Sequence, residues 1–158
     1  MITTFRIHTI PAKVLDGVRA SGVDVSGSRI ERVSAEAGDP LRCCLRGARP
    51  GEELILFGYE PPMPPSPYRE IGAVLAHAEP CGGPASAIAY PPDWHGRPQV
   101  LRAYDQHGWI HDATTVHDGQ DSEAVIAELL AVPDVAQIHS RNVAWGCYMF
   151  AITRADGS

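Results

Sequence analysis

The sequence predicts a single α+β domain over residues 1–158, built on a curved, mostly antiparallel sheet of about eight strands with two short helices. Glycine and proline are abundant, at 15 and 14 residues, which indicates many turns and ordered loops between short strands. Hydrophobic residues make up 44% of the chain and charged residues 20%, as is typical of a folded domain. The two segments with helical periodicity do not alternate with strands as a parallel sheet requires, so antiparallel pairing is expected.

The first half of the chain predicts one helix and up to five strands. Residues 2–9 alternate between apolar and polar side chains, as in a half-buried strand. From Pro11 to Gly22 apolar side chains recur at helical spacing, which predicts a helix with proline in its first turn and glycine as its stop. Five prolines within 61–67 exclude a helix or a central strand there, because five amide donors are missing. Further strands are predicted at 29–33, 41–45, 53–59 and 71–78.

The second half predicts a long loop, one helix and four strands. Residues 79–98 are rich in proline and glycine and are expected to form the loop. Asp121 is expected to cap a helix that runs to about Ala131. The last strand has apolar side chains on both faces, which favours a central position in the sheet. The strands are predicted at 100–105 and 109–116, as a hairpin, and at 135–141 and 146–154.

Charge and composition argue against several partners. The formal net charge is −6, which disfavours nucleic acid. No run approaches the roughly 18 consecutive apolar residues of a membrane span, and the first residues contain no apolar signal core. Four cysteines without a secretion signal, and without a CxxC pair, predict a cytoplasmic protein with reduced thiols.

The common cofactor and hydrolase motifs are missing from the sequence. It contains no GxGxxG, no GxxxxGK followed by Ser or Thr, no GxSxG, no HExxH helix and no EF-hand loop. We therefore assign no cofactor and no metal ligand from the motifs.

A row of polar side chains on one predicted strand is the best candidate for a binding site. Gln137, His139 and Arg141 share one face of that strand, and a four-residue hairpin loop would place Tyr148 opposite His139. Arg102 and Tyr104 form a similar pair on the strand predicted at 100–105 and add a second guanidinium. These groups can bind an organic anion, with His139 moving a proton near neutral pH. An exposed sheet face whose arginines pair with carboxylates explains the same row.

The cysteines and histidines allow two further kinds of site. His77 and Cys81 are four residues apart at the predicted end of a strand, and Cys44, His139 or Cys147 could complete a soft nitrogen and sulfur site for zinc. A thiol nucleophile would need Cys44 or Cys81 next to one of the two histidines. Buried free cysteines usually act as small hydrophobic residues, so both sites stay open as alternatives.

Short motifs spread over the chain share a pattern with a known family. They are FRI at 5–7, PLRCCL at 40–45, PGE at 50–52, SPYR at 66–69, HAEPC at 77–81, LRAYD at 101–105, HSRN at 139–142 and GCY at 146–148. Together they resemble the bacterial domain of unknown function family 1203 over almost the whole chain. Leu41 departs from the pattern, since many members carry cysteine there. If that thiol matters to the family, Cys43 or Cys44 has to replace it here.

The resemblance implies a bacterial cytoplasmic protein but no mechanism, because the family name assigns no activity. It adds Tyr68, Arg69, His77, Asp105 and Asn142 to the polar residues of interest. The candidate site residues are then His139 and Tyr68 as catalytic groups, and Arg102, Arg141, Arg69 and Asn142 as substrate-binding groups.

The function predicted from these observations is the binding of a small organic anion in a pocket over the sheet, walled by residues 61–67 and 79–98. An enzyme of this kind would use cofactor-independent acid/base chemistry, such as isomerisation, cyclisation or hydrolysis. The first alternative is a non-catalytic interaction or scaffold module, including a homodimer with Trp94, Trp109 and Trp145 at its interface. The second alternative is a zinc-binding protein.

Overall fold

The computed structural model describes residues 5–155 and contains eight strands and two helices, which confirms the α+β class. Residues 2–4 of the predicted first strand lie outside the described range. Within that range, neither helix has the length and apolar content that a membrane span needs. In chain order the elements are β1 (Phe5–His8), α1 (Ala12–Ser21), β2 (Glu31–Ser34), β3 (Glu53–Tyr59), β4 (Gly72–His77), β5 (Gln99–Tyr104), β6 (Thr115–His117), α2 (Ser122–Leu130), β7 (Gln137–Asn142) and β8 (Tyr148–Arg154).

The strands form two antiparallel sheets, where the sequence suggested one. The larger sheet has the order β1-β8-β7-β5-β6 and the smaller sheet the order β2-β3-β4. A loop occupies the open edge of β4: Leu41 forms a parallel bridge with Leu75, and the Arg42 amide donates to the Leu75 carbonyl at 2.9 Å. Because this loop covers the edge of β4, no further strand can pair with it and the smaller sheet ends there.

Residues 41–45, predicted as a strand, form a tight turn. The Leu45 amide donates to the Leu41 carbonyl at 3.1 Å, and Leu45 itself has a φ of 58°. Both leucines are buried, so a short apolar segment looks the same in sequence whether it is a buried strand or a buried turn.

Two other predicted elements differ in detail. The strand expected at 109–116 is much shorter, and β6 begins only at Thr115. The hydroxyl oxygen of Thr114 accepts the Ala103 amide at 2.9 Å, so a side chain replaces the backbone partner and interrupts the ladder. Helix α2 begins where expected, but Asp121 makes no side-chain capping bond.

β8 is an internal strand of the larger sheet, as its apolar sequence predicted, with β1 on one side and β7 on the other. It contributes to two hydrophobic cores: Tyr148 and Ala151 to the core of the smaller sheet, Met149 and Phe150 to the core of the larger. The predicted pairing of His139 with Tyr148 is wrong, because Asn142 pairs with Cys147 and the hairpin loop therefore lies further along the chain than expected. A bulge after Ser140 shifts the register of β7 and β8 by one more residue, so His139 lies opposite Ala151.

Candidate functional site

Four possible metal ligands converge where the smaller sheet meets two loops. The sulfurs of Cys43, Cys44 and Cys81 and a ring nitrogen of His77 all lie within 4.8 Å of one another. The Cys43 and Cys44 sulfurs lie 3.4 and 3.9 Å from His77 Nδ1, and 3.9 Å from each other. A tetrahedral zinc ion with sulfur and nitrogen ligands requires separations of about 3.5–3.8 Å. Cys43, Cys44 and His77 are therefore close to the spacing that such an ion requires, and Cys81 completes a group of four side chains, which we call the Cys3His cluster.

The tight turn at 41–45 brings the two adjacent thiols to the same side. In an extended strand, neighbouring side chains point to opposite faces, so a strand here would separate Cys43 from Cys44. His77 is the last residue of β4, and its amide donates to Cys43 Sγ at 3.3 Å. Cys81 follows from the loop after β4. The cluster thus joins three segments of the chain.

Glu52 and Arg46 hold the imidazole of His77 from the side away from the thiols. His77 Nε2 lies 3.0 Å from Glu52 Oε2, and the Arg46 guanidinium donates to both Glu52 oxygens at 3.1 and 2.8 Å. This guanidinium holds the pKa of the Glu52 carboxyl well below its usual range. Arg46 Nη2 also lies 3.1 Å from His77 Nε2. Because a carboxylate is a strong acceptor, we place the ring proton of His77 on Nε2, where it donates to Glu52. The Nδ1 lone pair then faces the thiols, as metal binding requires.

The hydrogen bond between the adjacent thiols separates their acidities. Cys43 donates to Cys44 Sγ, which raises the pKa of Cys43, and its burial raises that pKa further. The same hydrogen bond lowers the pKa of Cys44. Burial raises the pKa of Cys81. Cys44 is therefore the thiol of the cluster that ionises most easily.

A cavity of about 440 Å³ lies beside the Cys3His cluster. Cys44, His77 and Cys81 line it together with other residues of the loop 79–98. Since Cys81 is exposed, an ion can reach the thiols from this side.

The predicted polar row on β7 forms a separate group in the larger sheet. His139 is only 1% exposed and lies between the rings of Tyr104 and Tyr148, at centroid distances of 4.7 and 5.1 Å. Burial lowers the pKa of His139 to about 3, with the positive charges of Arg141 and Arg102 as smaller causes. Arg102 and Arg141 therefore lie near His139, as the sequence predicted, but the imidazole between them is neutral at pH 7.

Two of the three predicted arginines of this site are paired with carboxylates. Arg141 forms an ion pair with Glu70, and Arg69 lies 3.1 Å from Glu60. Arg102 has no ion pair among residues 5–155, and its nearest polar partner is the Tyr104 hydroxyl, at 3.5 Å. These ion pairs favour the alternative of a sheet face whose arginines pair with carboxylates over a site that is free to bind an anion.

The other predicted residues have partners of their own. Tyr68 packs edge-to-face on Trp109 with a centroid distance of 5.6 Å. Asn142 accepts a long hydrogen bond from Gln99 at 3.4 Å. The catalytic and substrate-binding roles assigned to the six residues stay predictions.

The three tryptophans differ in exposure. Trp94 is fully buried, Trp109 is 50% exposed and Trp145 is 87% exposed. The homodimer alternative stays a prediction, and only the last two could contribute to such an interface.

The comparison with known families agrees with the motifs. Residues 38–154 match the family described as protein of unknown function (DUF1203). The chain belongs to the DUF1203 family. No curated protein and no solved structure matches it. The matched range contains all four ligands of the Cys3His cluster.

The departure of this DUF1203 chain at Leu41 leaves the cluster intact. Leu41 is fully buried in the hydrophobic core of the smaller sheet, so an apolar side chain suits the position. The cluster draws two of its three thiols from the two positions that follow Arg42, and the third from Cys81.

Sequence analysis of the DUF1203 chain identified part of the cluster. The sequence indicated His77 and Cys81, with Cys44, His139 or Cys147 as further ligands, and did not select Cys43, Glu52 or Arg46. Of those three further candidates, only Cys44 belongs to the cluster. The adjacent cysteines were a usable signal, but predicting a strand at 41–45 hid their convergence.

Proposed function

We propose that this protein binds Zn²⁺ through Cys43, Cys44, Cys81 and His77. The observation that carries the proposal is the convergence of four ligand atoms within 4.8 Å. Zinc prefers sulfur and imidazole ligands in this number and geometry. The contact between His77 and Glu52 supports the proposal, because zinc-binding histidines commonly donate their other ring proton to a carboxylate.

The ligand set favours a structural role for the ion. Four protein ligands fill a tetrahedral shell, whereas catalytic zinc sites keep one position for water or substrate. The ligands come from the turn at 41–45, the end of β4 and the loop 79–98. An ion bound there would attach this long loop, which contains only a short 3-10 turn, to the smaller sheet.

The test is the metal content of protein purified without chelator, followed by titration with Co²⁺ as a spectroscopic substitute. We expect about one equivalent of zinc per chain and the intense absorption of a tetrahedral cobalt–thiolate centre. Cys44→Ser and Cys81→Ser should each weaken or abolish this signal. Cys147→Ser is the matched control, because Cys147 is the one cysteine outside the cluster. Cobalt absorption that is unchanged in both cluster variants would refute the proposal.

Acid/base chemistry on an organic anion at His139 remains a second candidate. The two arginines beside His139 support it, since both cations act on the imidazole. The pKa of about 3 argues against this candidate, because the imidazole is then neutral at pH 7 and a weak base. The candidate fails if a ligand of the protein binds equally well after His139→Leu and Arg141→Gln.

A further inference from the structure

Arg42 is a buried cation that lacks a carboxylate partner. Its side chain donates to the carbonyls of Tyr148 and Pro40 at 2.8 and 2.6 Å, and the residue is 2% exposed. No carboxylate among residues 5–155 forms an ion pair with it. A guanidinium stays charged at pH 7. An unpaired buried charge is costly to a fold unless another group compensates it.

The Arg42 side chain lines a cavity of about 750 Å³ between the two sheets. This volume lies within the usual range for small-molecule sites. A guanidinium has five N–H donors, and the two carbonyls use two of them. The sulfur of Cys147, which also lines the cavity, is a further partner of this side chain, so a ligand would share the remaining donors with it. Asp39 also lines the cavity, but its carboxylate accepts the Glu36 amide at 2.9 Å and does not pair with Arg42.

The rest of the cavity wall is largely apolar. Leu56 and Leu75 line it from the smaller sheet, and Trp145 lines it from the loop between β7 and β8. Exposed Arg97 adds a second positive charge at the rim, with its guanidinium 4.9 Å from the centre of the Trp94 ring. The combination of one buried cation with apolar walls matches a molecule that has one anionic end and an apolar body.

We propose that this cavity binds a small monocarboxylate, whose carboxylate pairs with Arg42 and whose apolar body packs against Leu75 and Trp145. Of the substrate-binding residues predicted from sequence, only Asn142 lines it. The cavity shares no lining residue with the Cys3His cluster, so the two proposals stand or fall separately.

Calorimetric titration of the full chain with octanoate and with neutral 1-octanol tests the charge requirement. Octanoate should bind saturably at one site, and 1-octanol about tenfold more weakly or worse, since a hydrogen bond to a charged group contributes this much. Equal affinity for the two probes, or no octanoate binding at millimolar concentration, would overturn the proposal.

Two variants locate the site. Arg42→Met should abolish the preference for octanoate over 1-octanol, but it also removes two bonds to backbone carbonyls and can impair folding. Trp145→Ala acts on an exposed loop and should weaken octanoate binding several-fold, whereas Trp109→Ala, outside the cavity, should leave it unchanged. Octanoate binding that is unaffected by Trp145→Ala contradicts the proposal. Cys81→Ser should bind octanoate like the native chain, which separates this result from the metal test.

Discussion

Three donors hold the Glu52 carboxylate in place at the level of single residues. Besides Arg46 and His77, the Arg49 amide donates to Glu52 Oε1 at 2.7 Å. This carboxylate therefore fixes both the position of the His77 ring and the location of its proton. Glu52 is a positioning residue for the proposed zinc site, because it contacts a ligand and not the ion.

Glu52→Gln should lower zinc affinity about 10- to 100-fold while all four ligands remain. The amide keeps the shape of the side chain but presents a weaker acceptor to the His77 ring. Zinc affinity is measured by competition with a chromophoric chelator. Glu53→Gln is the control, since the neighbouring Glu53 side chain is 79% exposed and should not matter. Equal zinc affinities in the Glu52→Gln and Glu53→Gln variants would show that Glu52 does not position His77 for the metal.

His139 makes stability depend on pH in a defined window. The folded state holds its pKa at about 3, below the ordinary value of 6.5, so the unfolded chain binds the proton first as pH falls. The stability that His139 contributes is complete above about pH 6.5 and is lost progressively down to about pH 3.

Denaturant unfolding of the native chain and of His139→Leu at several pH values measures this contribution. Between pH 6 and 4 the unfolding free energy of the native chain should fall more steeply than that of the variant, by about 1.4 kcal/mol per pH unit. His107→Leu, at an exposed histidine, should keep the native slope. Parallel curves for the native chain and His139→Leu would show that the imidazole is accessible to protons in the fold.

At the level of elements, the connection between β6 and α2 packs directly on the chain that leads into β5. Gly119 has a φ of 92°, and its carbonyl accepts the Gly96 amide at 2.9 Å. A Cβ at Gly119 would lie 2.5 Å from Arg97 N and 2.6 Å from Arg97 O. Both contacts are with backbone, which cannot move aside as a flexible side chain can.

Gly119→Ala should therefore destabilise the protein by about 2–5 kcal/mol, through backbone strain and overpacking together. Gly51→Ala is the control, because Gly51 has a φ of 84° but no atom near the added Cβ. Its expected cost is only the strain of about 1–2 kcal/mol. Urea denaturation compares the two variants, and equal losses would mean that the 96–97 segment yields easily.

At the level of the whole molecule, bound zinc is expected to stabilise the loop 79–98 and the smaller sheet more than the larger sheet. Binding to the folded state alone adds about 2.7 kcal/mol when free zinc is at 100 times its dissociation constant. Chelation should lower the melting temperature and increase amide exchange in the loop 79–98. Exchange in β5, β7 and β8 should change less, because none of the four residues of the cluster belongs to these strands. A Cys81→Ser chain should show neither effect, and a native chain that behaves like it would contradict the proposed role.

The predictable parts of the fold are those with strong local signals. Gly22 ends α1 as expected, β3 spans the predicted residues, and β8 is internal to its sheet because both its faces are apolar. The turn at 41–45 depends instead on pairing with Leu75, far along the chain, which no local pattern reveals. The Cys3His cluster depends on that turn, so sequence reasoning found its ligands only in part.

The two sheets also differ in the stage of synthesis at which all their strands are available. All four ligands of the proposed zinc site and both strands of the β3–β4 pair lie between residues 43 and 81. The larger sheet instead joins β1 to β8, where His8 contacts Thr153 across 145 positions. A nascent chain therefore presents all four ligands of the proposed zinc site well before β8 exists, so we expect that an ion can bind while the larger sheet is still unpaired.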